Sequence, residues 1–213
     1  MVSSILLLFT DPDGFFRRDS KEWSDLTVPA AIVLVLGIFS AIIVYLQAPL
    51  IQQILPENLR AELGVLSLIG IPLGVVSPFI EWVVFTCIFY VISMIFVGKG
   101  TFRQTLAAIG YGFLPTAIGS LIDLIIFWYY LPGIKVTPVK DVLDIQSATL
   151  ALTHTPVFQI TGIIGIIFLM WSANIWIFGL RYARELALRH AMICVGIPVL
   201  VFIAFTILSL GVL

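Results

Sequence analysis

The most informative stretch of the sequence runs from Lys99 to Asp123 and reads Lys-Gly-Thr-Phe-Arg-Gln-Thr-Leu-Ala-Ala-Ile-Gly-Tyr-Gly-Phe-Leu-Pro-Thr-Ala-Ile-Gly-Ser-Leu-Ile-Asp. It starts as a short basic turn, continues as an apolar helix through a Gly-Tyr-Gly-x-x-Pro break, and ends on a carboxylate within that helix. Pro115 has no N–H to donate to the carbonyl of Tyr111, so we predict a kink there. Such kinks are tolerated in transmembrane helices. The stretch therefore predicts a kinked membrane span over Leu106–Leu131.

The composition of the whole chain agrees with this interpretation. Of its 213 residues, 61% are hydrophobic and 11% are charged, with a mean hydropathy of +1.15. A soluble domain carries roughly 25% charged residues, so the deficit indicates an integral membrane protein. A net charge of −1 gives no electrostatic footprint for a nucleic-acid partner. Cys87 and Cys194 lie in apolar runs, which favours packing over a disulfide.

The apolar runs predict an all-α, polytopic transmembrane bundle of five helices, since each run is long enough to cross roughly 30 Å of hydrocarbon. Prolines and glycines are expected to break or kink the second and third spans. The predicted spans are Val28–Ala48, Pro78–Val97, Leu106–Leu131, Val157–Leu180 and Ala191–Leu213.

The run from Val65 to Val97 is too long for one straight crossing and contains Pro72 and Pro78. Two interpretations remain open. A short tilted or partly re-entrant piece could precede a span over Pro78–Val97, or the whole run could be one kinked helix.

We divide the chain into an N-terminal tail over residues 1–26 and a five-span domain over residues 27–213. In the tail, Asp11-Pro12-Asp13-Gly14 predicts a turn, and Phe15-Phe16-Arg17-Arg18 is suited to a membrane surface. Asp19 followed by Glu22 resembles the start of an interfacial helix, with Trp23 at interfacial depth.

The basic residues indicate the orientation. Eight of the 11 Lys and Arg residues fall on one side of a five-span topology, and the positive-inside rule places that side and the N-terminus in the cytoplasm, with the C-terminus outside. A prokaryotic plasma membrane is the expected location. The eight residues are Arg17, Arg18, Lys21, Lys99, Arg103, Arg181, Arg184 and Arg189.

Two acids, Glu81 and Asp123, fall inside predicted spans, where a charge near the bilayer centre costs about 2.5–3.5 kcal/mol. Counted from Val97 and Leu106, both lie about 24–27 Å from the cytoplasmic face. Small residues continue into both positions, which favours close helix approach. We therefore expect a carboxylate pair between the second and third spans that shares a proton or binds a cation. The alternative is a structural role in capping or interhelical hydrogen bonding. The small residues are Gly70, Gly74 and Ser77 on one span, and Ala108, Gly112, Thr116 and Ser120 on the other.

Three further sets of residues carry weaker predictions. Ser172 and Asn174 are expected to form hydrogen bonds with a neighbouring helix. Arg181, Arg184 and Arg189 form a cytoplasmic basic patch attracted to anionic lipid, with docking of a partner as the alternative. No metal ligand set is predicted from the sequence, because His154 and His190 lack metal spacing.

The motifs around the opening stretch resemble those of the Yip family, the five-span Ypt/Rab-interacting membrane proteins. Gly100-Thr101-Phe102-Arg103-Gln104 is similar to the family's Gly-Thr-Phe-(Lys/Arg)-Gln turn, and Gly110, Tyr111, Gly112 and Pro115 fit its Gly-Tyr-x-x-x-Pro motif. The Gly179-Leu180-Arg181 turn resembles the later Leu-Gly-Leu-(Arg/Lys) turn. The match is nearer to the small prokaryotic members. Small GTPases are not carried over as partners, because Asp11-Pro12-Asp13-Gly14-Phe15-Phe16 replaces the eukaryotic Asp-Leu-Tyr-Gly-Pro motif.

The resemblance implies membrane organisation or a trafficking-like role without enzymatic activity. Independently, phosphate-loop, nucleophile-elbow and zinc-helix patterns are absent from the sequence, so no enzyme and no cofactor are predicted. We expect a scaffolding or partner-binding protein in the bilayer that forms homo-oligomers or binds other membrane proteins. The competing hypothesis is a small proton- or cation-linked transporter or channel component that uses Glu81 and Asp123.

Overall fold

The computed structural model describes residues 2–18, 23–57, 60–139 and 141–211. The predicted interfacial helix start at Asp19 and Glu22 lies outside these residues. Every regular element among the described residues is helical. The helices are α1 (Val2–Thr10), α2 (Pro12–Phe16), α3 (Thr27–Ile54), α4 (Arg60–Ile95), α5 (Phe102–Tyr111), α6 (Phe113–Tyr130), α7 (Ile145–Thr153), α8 (Pro156–Ala183) and α9 (Leu188–Ser209).

Within the described part of the chain, five helical segments are long and apolar enough to cross a membrane, which confirms the predicted fold class. They form a ring in which α3 packs against α4 and α6, α6 against α8, α8 against α9, and α9 against α4. The short helix α5 lies inside this ring and contacts α3, α4 and α8. The contact between α4 and α9 is the sparsest joint of the ring, and it leaves an open groove.

The second span is one continuous helix, so the single-helix interpretation is right and the re-entrant one is wrong. α4 includes both Pro72 and Pro78. Pro78 cannot donate to the carbonyl of Gly74, but the hydroxyl of Ser77 donates to it at 3.3 Å. A side chain thus replaces the lost helical donor, and the helix continues.

The third span is interrupted at Gly112, between α5 and α6. Three residues later, Pro115 removes the donor that the carbonyl of Tyr111 would receive in a continuous helix. At the interruption itself, the Gly112 N–H donates to the carbonyl of Ile109, three residues earlier, at 3.0 Å. The break and its sequence cause agree with the predicted kink.

The described part of the tail, residues 2–18 and 23–26, contributes buried side chains to the core, so Phe15 and Phe16 do not lie on a membrane surface as predicted. Phe15 and Phe16 are buried, and Phe16 stacks edge-on against the buried Trp23. Asp11 caps α2 by accepting a hydrogen bond from the Gly14 N–H at 2.9 Å. The bundle therefore covers the Phe15 and Phe16 rings, which the short helix α2 could not bury by itself.

The closest helix pair, α3 and α4, meets backbone to backbone at glycines. A Cβ placed on Gly37 would lie 2.5 Å from the carbonyl oxygen of Val75, and one on Gly74 would lie 2.7 Å from the Cα of Ala41. This is the close approach that small residues permit between membrane helices.

We predict that Gly37→Ala lowers the free energy of unfolding by about 1–3 kcal/mol, because the added methyl group meets rigid backbone. The matched control is Gly196→Ala in α9, where nothing lies within 4 Å of the new Cβ. It should be neutral or stabilising by up to about 1 kcal/mol through helix propensity. Thermal melting in detergent measures both, and equal melting temperatures for the two variants would contradict the backbone contact.

Candidate functional site

Two tryptophans from opposite sides hold the helix α5 that precedes the break. The indole N–H of Trp82 on α4 donates to the carbonyl of Leu106 at 2.8 Å. The indole N–H of Trp176 on α8 donates to the carbonyl of Ile109 at 2.7 Å. Both acceptors lie on α5, so α5 is fixed to the second and fourth spans by hydrogen bonds.

The predicted packing motif lies where these tryptophans approach. A Cβ on Gly110 would lie 2.6 Å from Pro29 and 2.9 Å from the ring of Trp82, and a Cβ on Gly112 would overlap the ring of Trp176. Tyr111 between them is buried and packs against Phe15 of the tail, with ring centroids 5.2 Å apart. The two glycines thus admit the indole rings, and the tyrosine receives the tail.

Arg184 lies at the end of the bundle that also carries Arg17, Lys99, Arg103, Arg181 and Arg189, which we call the basic end. It is only 3% exposed. Its Nε donates to Ser93 Oγ at 2.9 Å, and its Nη2 and Nη1 donate to the carbonyls of Gly98 and Gly100 at 2.6 and 2.5 Å. The guanidinium also lies 4.1 Å from the ring centroid of Tyr90. Arg184 therefore joins the turn after α4 to the turn after α8.

Neutral groups, not a carboxylate, compensate this buried charge. Both described ion pairs involve Asp13 and leave Arg184 aside. The carboxyl ends of α4 and α8 meet here, and each carries partial negative charge from its free carbonyl groups. Three acceptor oxygens and an aromatic face then satisfy the planar guanidinium, which can only donate.

The two turns that Arg184 joins have the same geometry. Val97 and Glu185 both adopt left-handed backbone conformations, with φ of 56° and 52°. After each, an N–H returns to the carbonyl five residues earlier, from Gly98 to Ser93 at 3.1 Å and from Leu186 to Arg181 at 2.9 Å. These are Schellman-type ends. The Lys99 N–H donates to the Arg184 carbonyl at 2.9 Å, so the two helix ends lie level.

The Gly-Thr-Phe-Arg-Gln turn has a distinct physical role. Gly100 has φ of +82°, and a Cβ there would overlap the carbonyl of Ala183. Thr101 and Gln104 form a reciprocal capping box at the start of α5, with Thr101 N–H donating to Gln104 Oε1 at 2.9 Å. The sequence analysis missed this cap, although Thr-x-x-Gln before an apolar run is a helix-start signature.

The tail is attached to the basic end through Asp13. This carboxylate accepts hydrogen bonds from Arg17, from Arg181 Nη1 at 2.8 Å and from the Tyr182 hydroxyl at 3.0 Å. The hydrogen bond from Arg17, with those from Tyr182 and the charge of Arg181, holds the pKa of the Asp13 carboxyl below its usual value. The sequence predicted a turn over Asp11–Gly14, whereas the structure has helix α2 starting at Pro12. The ion pair was not predicted, because Asp13 and Arg181 are distant along the chain.

The predicted basic patch is divided by these contacts. Arg181 is paired with Asp13, and Arg184 is buried among carbonyl groups. Arg189 is exposed. Two of the three residues thus hold the protein together at this end instead of presenting charge to lipid.

The two intramembrane acids face different helices. Glu81 is exposed in the groove between α4 and α9. Asp123 lies one helical turn from Gly119, which contacts Phe168, and one turn from Phe127, whose ring lies 5.2 Å from that of Phe158. Both contacts are with α8, so Asp123 lies between α6 and α8. Its Oδ1 is buried without a hydrogen-bond partner among the described residues.

Their depths also differ. Glu81 is 14 residues from the end of α4 and Asp123 is 21 residues from the start of α5, which corresponds to roughly 21 and 32 Å from the basic end. The small-residue stripe before Asp123 faces α8, so the prediction that it faces α4 is wrong. Thr116 Oγ1 lies 2.8 Å from Ser172 Oγ, as expected for Ser172, and Gly112 meets Trp176. The prediction placed this stripe against the second span because helix adjacency in sequence was taken as adjacency of faces.

The architecture and these contacts define an all-helical, multi-pass integral membrane protein. The Yip1 domain family model matches residues 6–209, and the chain belongs to that family. It is 33% identical over 129 residues to an uncharacterized protein of Methanocaldococcus jannaschii. The aligned residues make up 61% of this chain and 92% of that protein. These matches confirm the resemblance to the small prokaryotic Yip proteins. No solved structure matches the chain.

We predict that Arg184→Lys lowers the free energy of unfolding by about 3 kcal/mol, because an ammonium group cannot reach the three acceptors of the planar fork. Melting in detergent measures the loss. The control is Arg189→Lys at an exposed site, with an expected change within about 0.5 kcal/mol. If the two variants melt alike, Arg184 does not join the turns in the way described.

We predict that acidification releases the tail from the basic end. Because the pKa of Asp13 is lowered on folding, its contribution is complete above the ordinary carboxyl pKa of about 3.9 and is lost as the pH falls through the lower folded value. Amide exchange over residues 6–18, corrected for the intrinsic rate, should increase between pH 5 and pH 3. In Asp13→Asn, exchange should already be fast at pH 5 with no further increase, and a wild-type pH response in that variant would contradict the assignment.

Proposed function

We propose that this protein is a non-enzymatic scaffold that binds a partner within the bilayer through the groove between α4 and α9. The groove encloses about 510 Å³ between residues 80–88 and 198–205. Its walls are apolar apart from Glu81. This single feature carries the proposal, since an acid near the middle of the Ile69–Ile95 segment is costly unless a partner satisfies it.

The basic end supports a scaffolding role because it is braced from three directions. Arg184 joins two interhelical turns, the capping box fixes α5, and Asp13 attaches the tail. We place this end in the cytoplasm of a prokaryotic cell, in accordance with the positive-inside rule.

Other functional classes receive less support. Among the described residues no group of three or more His, Cys, Asp or Glu side chains is arranged to hold a metal ion. The transport hypothesis requires Glu81 and Asp123 to act together, whereas the two acids face different helices at different depths. We therefore favour partner binding.

Site-specific photo-crosslinking tests the proposed groove. With benzoylphenylalanine at Ile88, which lines the groove, irradiation of native membranes should give a discrete product of higher mass. Glu81→Leu in the same chain should reduce the yield of this product about three- to tenfold, because the loss of one hydrogen bond within a membrane weakens binding by about that factor. The control is the same probe at Ile125, an exposed position on α6. Identical product patterns from both positions would contradict a binding groove.

A further inference from the structure

The groove between α4 and α9 contains an acidic side chain without a matching hydrogen-bond donor. Glu81 makes no hydrogen bond to any described residue, and its groove neighbours are apolar. An occupant that satisfies this groove must therefore bring a donor to the level of Glu81.

The outer face of α8 carries unused donors. The exposed side chains of α8 recur at intervals of three and four residues, which is the spacing of a helix-packing seam. Trp171 borders this seam, is 38% exposed, and makes no hydrogen bond through its indole N–H to any described residue. Asn174 is also exposed. We call this face the α8 seam; it consists of Ile160, Ile163, Ile167, Met170 and Asn174.

The donor and the acceptor lie at matching depths. The turn residues Val97 and Glu185 are level, because the Lys99 N–H donates to the Arg184 carbonyl. Glu81 precedes Val97 by 16 residues and Trp171 precedes Glu185 by 14, so the two differ by roughly 3 Å along the helix axes. α4 and α8 run in the same direction, and their side chains lean the same way along it.

From this complementarity we infer that the α4–α9 groove of one copy receives the α8 seam of a second copy, with Glu81 accepting a hydrogen bond from the indole N–H of Trp171. The occupant is a second copy because the same chain supplies both the donor and the acceptor at one level. The groove and the seam lie on different sides of the ring, separated by α9. The contact is therefore heterologous and joins the groove of one molecule to the seam of its neighbour. This inference rests on the proposed function and names its partner.

Disulfide trapping between two tagged copies tests the contact. Both copies carry Cys87→Ser, while Cys194 is buried and remains. One copy carries Ile80→Cys in the groove and the other carries Ile167→Cys in the seam. Ile80 lies 17 positions before Val97 and Ile167 lies 18 positions before Glu185, so the two sites are at nearly the same level. Their side chains are 56% and 58% exposed. Oxidation in membranes should join the two tags, because a disulfide forms where Cα atoms come within about 7 Å.

The matched control replaces Ile167→Cys with Leu34→Cys on α3. Leu34 is exposed and lies near the level of Ile80, since Gly37 faces Val75 across the α3–α4 contact. Cross-linking should be at least tenfold lower for this pair. Glu81→Leu or Trp171→Phe should lower the groove–seam yield about three- to tenfold, and Glu81→Gln should retain it because the amide oxygen still accepts. Equal yields with Leu34→Cys, or no response to Glu81→Leu and Trp171→Phe, would overturn the inference.

The failure of this inference is distinguishable from failure of the proposed function. A photoproduct from Ile88 in native membranes, together with no disulfide between tagged copies, would mean that a different protein occupies the groove. That result would overturn self-association and leave partner binding in place. The absence of both products would overturn both. A photoproduct of twice the chain mass from purified protein in vesicles would support both.

Discussion

The buried guanidinium of Arg184 holds together the turns from which the central helix of the bundle starts. It fixes the ends of the second and fourth spans to each other, and the turn after α4 leads directly to the capped start of α5. A buried cation without a carboxylate partner is ordinarily unfavourable. Here two helices end at the same place, and their free carbonyl groups provide the negative potential that a carboxylate would supply elsewhere.

The interrupted third span follows from this arrangement. With the start of α5 fixed by Gly100 and Thr101, the first part of the third span lies inside the ring, where indole rings from α4 and α8 press against it. Gly110 and Gly112 leave room for those rings. Pro115 has no N–H to donate to the Tyr111 carbonyl, so interrupting the helix at this point sacrifices one hydrogen bond fewer. The aromatic cluster around Trp176 then fills the space between the spans, with Phe85, Phe89 and Phe113 within 5.1–5.6 Å of its ring.

The polar residues of the membrane region have three different environments. Thr116 and Ser172 satisfy each other between α6 and α8, as small hydroxyl groups do in helical membrane proteins. Asp123 is enclosed in the same interface with one oxygen unpartnered. Glu81 faces the outside of the bundle, where only another molecule can satisfy it. This difference in surroundings, and not the residue type, distinguishes the polar groups that pack inside the bundle from the acid on its outer surface.

The class of protein, the number of spans and the kink at Pro115 could be predicted from the sequence, because apolar length and the missing N–H of proline act locally. The family motifs were also legible, as was the Thr101–Gln104 cap had the capping signature been applied there. Which helix faces meet could not be predicted and follows from packing across the whole bundle. This packing brought Arg181 to Asp13, buried Arg184 within a presumed surface patch, and turned the stripe ending at Asp123 toward α8. A sequence specifies the spacing of residues on one helix, whereas the rotation of that helix in a bundle depends on side chains from all its neighbours, which are distant along the chain.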